Sequence, residues 1–205
     1  MKFRELAVAG AWEITPTQFS DPRGVFLEWF RTTSFVEAVG HPLDLQQANC
    51  SVSSAGVLRG IHFADVPPGQ AKYVTCAAGA VLDVAVDIRV GSPTFGAWDA
   101  VLLDDVDRRA IYLSEGLGHA FMALEDASTV LYLCSTGYSP GREHGIDPLD
   151  PELGIAWPTV DRQGHPITPR LSDKDASAPG LAAAETQGLL PRLSDIDDYL
   201  ATLRG

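Results

Sequence analysis

Lysine is nearly absent from this chain. Its 205 residues hold three, Lys2, Lys72 and Lys174, and the rest of the 15 basic residues are arginines. Set against 27 Asp and Glu, they leave a formal net charge of −12. A surface this acidic repels phosphate backbones and anionic headgroups, which argues against a nucleic-acid or membrane-surface role. Long apolar runs are lacking: no stretch approaches the roughly 18–20 residues that a spanning helix needs. The start, Met1-Lys2-Phe3-Arg4-Glu5, carries charge where a signal peptide would be apolar. Metal-site spacing is also missing. His41, His62, His119, His144 and His165 are scattered, and no His-x-His occurs. Cys50, Cys76 and Cys134 are odd in number and sit in apolar stretches. They read as small core residues of a reducing cytoplasm.

What is present is ordinary globular material. A hydrophobic fraction of 45% is enough for one good-sized core. From Ala80 to Val90, Leu82, Val84, Val86, Ile88 and Val90 alternate with Asp83, Asp87 and Arg89. That period of two predicts a half-buried strand, closed by Gly91-Ser92-Pro93. Similar short runs follow at Ala97–Leu103, Ala110–Leu113, Ala120–Leu124 and Val130–Ser135. Their spacing leaves no room for crossover helices and predicts a β-sandwich or barrel. Helices are few. One is expected over Thr33–Val39, capped by Thr33 or Ser34. Another is expected over Leu181–Leu190, and Ser194-Asp195-Ile196-Asp197 resembles a capping box. The segment 142–180, rich in Pro, Gly and Asp, reads as ordered loop. The expected architecture is mostly β, a jelly-roll sandwich over 1–180 with a C-terminal helical tail over 181–205.

Chemistry concentrates in a few places. Arg59-Gly60-Ile61-His62-Phe63 puts a histidine in strand-like sequence, and Gln47, Asn49, Arg59 and Lys72 are polar heads among apolar neighbours. Such side chains aimed into a sandwich need a ligand or each other. Arg59 and His62 have opposite parity, so a bulge at Gly60 is needed to bring both into one cavity. Val130, Tyr132 and Cys134 share a face, and an inward Tyr132 hydroxyl must find a partner.

Taken together, these segments resemble the dTDP-4-dehydrorhamnose 3,5-epimerase family. The matching motifs run from about residue 12 to about 180. They include Asp21-x-Arg23-Gly24-x-Phe26-x-Glu28, Gln47-x-Asn49-x-Ser51, Gly56-Val57-Leu58-Arg59-Gly60-Ile61-His62-Phe63 and Gln70-Ala71-Lys72. Gly116-x-Gly118-His119-Ala120-Phe121, Tyr132, Tyr138, Glu143 and Leu171-Ser172-Asp173-Lys174-Asp175 continue the match. The resemblance implies a cupin-type jelly roll, a homodimer, no metal and no cofactor. It implies a dTDP-linked 4-keto-6-deoxyhexose as substrate, inverted at C5 and, in many members, also at C3.

Residue by residue, the resemblance makes His62 the base and Asp175 its orienting carboxylate, with Asp173 second. It makes Lys72, with His119, the stabiliser of the C4 enolate, and Tyr132 the acid on the opposite face. Two groups on opposite faces are what inversion requires. Arg59 and Arg23 match the diphosphate contacts, Tyr138 the thymine stack, and Gln47, Asn49, Glu143 and Lys174 other substrate contacts. Arg23, Phe26 and Glu28 match residues that enter a neighbouring subunit's site. Three departures stand out: Ala120 where the family has Gly, Ala64 where Gln is common, and a longer tail. They bear on which sugar is bound. The arginine-rich composition fits an antibiotic producer, so an antibiotic deoxysugar branch is expected. The competing expectations are a 3,4-ketoisomerase, a non-catalytic sugar-nucleotide-binding cupin and a metal-dependent cupin oxygenase.

Overall fold

The alternating segments pair into two antiparallel sheets whose inner faces share one apolar core. A computed structural model describes residues 1–204. The strands β1 (Lys2–Glu5), β2 (Ala11–Thr15), β3 (Gln18–Asp21) and β4 (Gly24–Leu27) precede the helix α1 (Thr32–Val39). Next come β5 (Gln47–Ser53), β6 (Leu58–Ala64), β7 (Lys72–Ala78), β8 (Ala80–Val86) and β9 (Trp98–Asp104). They are followed by β10 (Ala110–Leu113), β11 (Gly118–Ala123), β12 (Ser128–Cys134) and β13 (Glu143–Gly145). The helices α2 (Asp173–Ala176), α3 (Leu181–Thr186) and α4 (Leu193–Leu203) end the described chain. One sheet has the order β1-β2-β10-β7-β12-β5 and the other β13-β6-β11-β8-β9, while β3 and β4 form a separate hairpin. Among the described residues, no helix is long and apolar enough to cross a membrane.

The sandwich interior is filled from both sheets. Val74, Cys76, Ile111, Leu113 and Val130 of the six-stranded sheet meet Val81, Ala85, Val101, Leu103, Phe121 and Ala123 of the five-stranded one. Burying a side chain of this size contributes about 1.5–3 kcal/mol, so the contact between sheets dominates the fold. Each outer face is covered as well. Over the six-stranded sheet, α1 places Phe35 against Tyr73 and Tyr112. Over the five-stranded sheet, Ile146, Leu153, Leu181, Ala184 and Leu190 pack on Ile61, Phe63, Val84 and Val86.

The strands expected from Ala97 to Ser135 form within a residue or two of their predicted bounds. The strand from Ala80 differs in two ways. It stops at Val86, and its polar face does not meet solvent: Asp83, Asp87 and Arg89 are all buried. Both faces of β8 are covered, one by the sandwich core and one by the C-terminal segment, so its alternation separates two interiors. Asp87 is held by Arg89 Nε at 2.8 Å, Ser92 Oγ at 2.6 Å and Thr94 Oγ1 at 2.6 Å, which satisfies the buried charge.

Local expectations for the helices hold less well. The residue capping α1 is Arg31, with no side-chain cap, and Ser194 lies inside α4 with its hydroxyl on Asp195. No capping box forms there. Cys50 is exposed on the outer face of β5, while Cys76 and Cys134 are buried, and all three thiols are free. The loop from 146 to 172 is ordered by its own bonds. Among them, Trp98 Nε1 donates to the Leu153 carbonyl at 3.0 Å and Trp157 Nε1 to the Pro148 carbonyl at 2.8 Å.

Candidate active site

A polar cavity of about 150 Å³ opens between the two sheets, lined by Ser51, Arg59, His62, Lys72, His119, Phe121 and Tyr132. It continues outward into a cleft of about 450 Å³ that shares Arg59 and His62 and adds Tyr138, Glu143, Arg170, Lys174 and Asp175. His62, His119 and Arg59 come from the five-stranded sheet; Ser51, Lys72 and Tyr132 come from the six-stranded one. A ligand in the cavity therefore has an imidazole on one side and a phenol on the other.

Arg59 and His62 share this space because of a bulge. His119 pairs with His62 across β11 and β6, but Phe121 pairs with Arg59, so β6 carries one extra residue between them. Gly60 makes the bulge possible. Its φ is +114°, and a Cβ there would lie 2.5 Å from the His119 carbonyl oxygen. The expected kink is thus present, and it reconciles the parity of the two side chains.

His62 is oriented from a distant part of the chain. Its Nε2 lies 2.7 Å from Asp175 Oδ1. Asp175 sits in α2, whose N-cap Ser172 accepts the Asp175 N–H at 3.1 Å. Of the two aspartates the motif offers, Asp175 reaches the ring and is buried, whereas Asp173 is exposed. Burial pushes the Asp175 carboxyl up, but the hydrogen bond and charge of the His62 ring outweigh it and hold it below its usual range. An ionised carboxylate only accepts, so His62 Nε2 donates in this pair, and in the neutral form of the ring the lone pair then falls on Nδ1.

A second pair backs the cavity. His119 Nε2 lies 2.9 Å and 3.1 Å from the two oxygens of Asp83, which projects inward from β8. Asp83 pairs directly with Phe121 on β11, which puts it diagonal to His119. Burial lowers the His119 pKa further than Asp83 raises it, and the charges of Lys72 and His62 push the same way. Burial also lowers the Lys72 pKa, against an opposing pull from Cys134, Glu143 and Asp83. Burial raises the Tyr132 hydroxyl, so this phenol keeps its proton at neutral pH.

The remaining candidates separate into two groups. Gln47 uses both ends: its Oε1 accepts the Tyr138 N–H at 2.8 Å and its Nε2 donates to Asn49 Oδ1 at 2.8 Å. Glu143 Oε1 accepts the Ser139 N–H at 3.3 Å, so Gln47 and Glu143 both position the Tyr138 loop at the cleft mouth. Lys174 lines the same cleft. Arg23, Phe26 and Glu28 are not brought there. Arg23 and Phe26 line a separate depression of about 190 Å³ on the β3–β4 hairpin. Arg23 pairs with Asp21 at 2.5 Å, Glu28 with Arg31 at 3.5 Å, and Phe26 is 67% exposed.

Two site residues escaped the sequence reading. Arg170 lines the cleft just ahead of the Leu171–Asp175 motif and donates to the Ala55 carbonyl at 2.6 Å. The alternation from Ala80 puts Asp83 on the polar side of a half-buried strand, and its only signal as a site residue is a carboxylate within otherwise apolar sequence. Two sequence departures also lie off the cavity. Ala120 belongs to the cluster beneath the C-terminal segment, and Ala64 lines a small neighbouring pocket. Among the described residues, no group of three or more His, Cys, Asp or Glu is placed to hold a metal.

A two-sheet cupin-type scaffold with an oriented imidazole facing a phenol defines an acid–base isomerase, and the comparisons with known proteins agree. A family model for dTDP-4-dehydrorhamnose 3,5-epimerase matches residues 5–183. A dTDP-4-dehydrorhamnose 3,5-epimerase of Mycolicibacterium smegmatis is 61% identical over 204 residues, covering 100% of this chain and 98% of the relative. A dTDP-4-dehydrorhamnose 3-epimerase of Streptomyces niveus is 60% identical over 93% of this chain and 89% of that one. An epimerase structure from Mycobacterium tuberculosis superposes with a TM-score of 0.95 at 58% identity, covering 100% of both chains. A 3'-monoepimerase from Streptomyces bikiniensis, solved with dTDP-quinovose, gives 0.92 at 51% identity, covering 97% of this chain and 98% of that one. The chain belongs to the dTDP-4-dehydrorhamnose 3,5-epimerase family. The tail beyond the matched core is shared with the mycobacterial relatives, which cover the chain to its end.

Proposed function

We propose that the protein binds a dTDP-linked 4-keto-6-deoxyhexose and inverts the carbons flanking its C4 ketone by proton removal on one face and return on the other. One observation carries this reading: His62 and Tyr132 line a single cavity from opposite sheets. A base alone returns a proton to the face it came from, so a loaded acid across the cavity is what inversion adds.

His62 Nδ1 takes the proton next to the ketone, and Asp175 stabilises the imidazolium that forms. The C4 oxygen gathers negative charge as the enolate develops, and the Lys72 ammonium is the donor suited to it. Neutral His119 gives its Nε2 hydrogen to Asp83 and so presents an acceptor to the cavity. Tyr132 then delivers its proton to the opposite face. Each proton-transfer role is worth on the order of 10²–10⁴-fold in rate. At the outer end, Arg59, Arg170 and Lys174 ring the cleft and supply cations for a diphosphate, with Tyr138 exposed at the mouth for a base to stack on. In a chain of net charge −12, these cations mark where an anion is received.

The reading includes a second copy of the chain. Phe19, Val25 and Phe26 are exposed on the β3–β4 hairpin, and Val52 is exposed on the edge strand β5. Apolar surface of this kind favours docking. The hairpin would carry Arg23, Phe26 and Glu28 into the partner's cleft. We place the reaction in the cytoplasm, where three free thiols stay reduced.

The test is solvent deuterium incorporation into dTDP-4-keto-6-deoxyglucose, read by carbon position in the product. Label together with inverted configuration at both C3 and C5 marks double inversion, and the same at one carbon marks a monoepimerase. No incorporation at either carbon overturns the reading, and a product with a displaced carbonyl replaces it with ketoisomerisation.

A further inference from the structure

The inner face of β5 is a ladder of polar side chains, Gln47, Asn49, Ser51 and Ser53, while Ala48, Cys50 and Val52 face outward and are exposed. Three of the four are committed within the protein. Gln47 holds the Tyr138 backbone, Asn49 Nδ2 donates to Cys134 Sγ at 3.7 Å, and Ser53 Oγ accepts from Arg59 Nε at 3.2 Å. Ser51 is the exception. Its Oγ is buried and, among the described residues, has no hydrogen-bond partner, yet it lines the same 150 Å³ cavity as His62, Lys72 and Tyr132. A buried hydroxyl left unpaired forfeits the hydrogen bond that water gave it in the unfolded chain. Among the described residues, the one other orphan of this kind is the hydroxyl of Tyr112, whose ring packs on Phe35 of α1 and does not line this cavity.

Position along the strand says which part of a substrate Ser51 meets. Asn49 is directly opposite Tyr132, the acid, and Ser53 carries Arg59, the phosphate-end cation. Ser51 lies midway between them. On the hexose, C1 bears the diphosphate and C3 and C5 flank the ketone, so the carbon between phosphate end and reacting end is C2. We propose that the Ser51 hydroxyl holds the C2 hydroxyl of the sugar and that the protein therefore selects 4-keto-6-deoxyhexoses bearing a C2 hydroxyl over their 2-deoxy counterparts. A site with a hydroxyl waiting for a partner rejects an analogue lacking it, because both groups lose their bond. The proposal rests on the epimerase reading above and adds to it a residue that sets specificity.

The experiment compares wild type, Ser51→Ala and Ser51→Thr on two sugar pairs. Affinity is measured calorimetrically for dTDP-glucose and dTDP-2-deoxyglucose, and kcat/KM for the 4-keto-6-deoxy forms of each. Wild type is expected to favour the C2-hydroxyl member of each pair about tenfold, the worth of one net hydrogen bond. Ser51→Ala is expected to bring the ratio close to one, and Ser51→Thr, which keeps a hydroxyl, to retain much of it. A wild-type ratio near one overturns the proposal, and so does a ratio that survives in Ser51→Ala. The wild-type ratio decides even if the alanine variant does not fold. If the binding preference is present and neither keto sugar exchanges deuterium, the epimerase reading fails while the Ser51 assignment stands.

Discussion

Two histidine–aspartate pairs face each other across neighbouring strands, and they differ in almost everything but composition. His62 is 36% exposed, and its partner Asp175 arrives on a separate short helix. His119 is 10% exposed, and its partner Asp83 sits in the adjacent strand with no exposure at all. The first pair stands at the junction of cavity and cleft, where the ring is open to a ligand and to water. The second backs the cavity wall and is almost closed to solvent, where burial disfavours the imidazolium. Environment, not residue type, separates a ring open to the cleft from one closed in the sheet.

The contrast can be broken by experiment. The largest effect is expected from His62→Ala, which should slow deuterium incorporation by on the order of 10²–10⁴-fold; a full-rate variant would remove His62 from the role of base. Asp175→Asn should lose a comparable factor in kcat, because an amide can hold the ring in the wrong tautomer. Tyr132→Phe should separate two readouts: inversion falls by on the order of 10²-fold, while exchange on the His62 side persists. Equal loss of both would mean that the phenol does more than return a proton. Asp83→Asn should cost less in kcat than Asp175→Asn and more in thermal stability. The reverse order would undo the distinction between the pairs.

The smallest expected effect concerns pH. The folded-state pKa of His119 lies below the free value of 6.5, so the unfolded chain binds that proton first as pH falls. The stability that neutral His119 contributes is complete above about pH 6.5 and is lost as pH drops below it. His119→Asn should flatten the slope of urea-unfolding free energy between about pH 7 and 5, and an unchanged slope would show that the ring titrates freely.

Much of this was legible in the sequence, for identifiable reasons. The strands from Ala97 onward are short, regularly spaced and bounded by turn residues, so period and punctuation agree. His62, Lys72, Tyr132 and Asp175 sit in motifs of matching order and spacing, and the structure lines three of them around one cavity and places Asp175 on the His62 ring. Asp83 was misread because alternation reports two unlike faces without saying whether the polar one meets water or a buried partner. Arg170 was missed because a lone arginine in a loop carries no pattern. The hairpin bearing Arg23 and Phe26, with Glu28 just beyond it, lies outside this chain's own cleft, so the role the resemblance implies for these residues has no contact within one chain to support it. The capping box failed because α4 starts one residue earlier than Ser194, which turned a candidate cap into an interior position.

The bond between His62 and Asp175 spans 113 residues of chain. During synthesis, the strand that bears the imidazole emerges long before the carboxylate that fixes its tautomer. Both sheets can pair while the ring still turns freely, because every strand of the sandwich precedes α2. The His62–Asp175 pair can therefore close only after the last strand of the sandwich has been made. A chain truncated ahead of α2 would keep every strand of the sandwich, yet it would lose both the carboxylate that holds the His62 ring and the helical cover over the outer face of the five-stranded sheet.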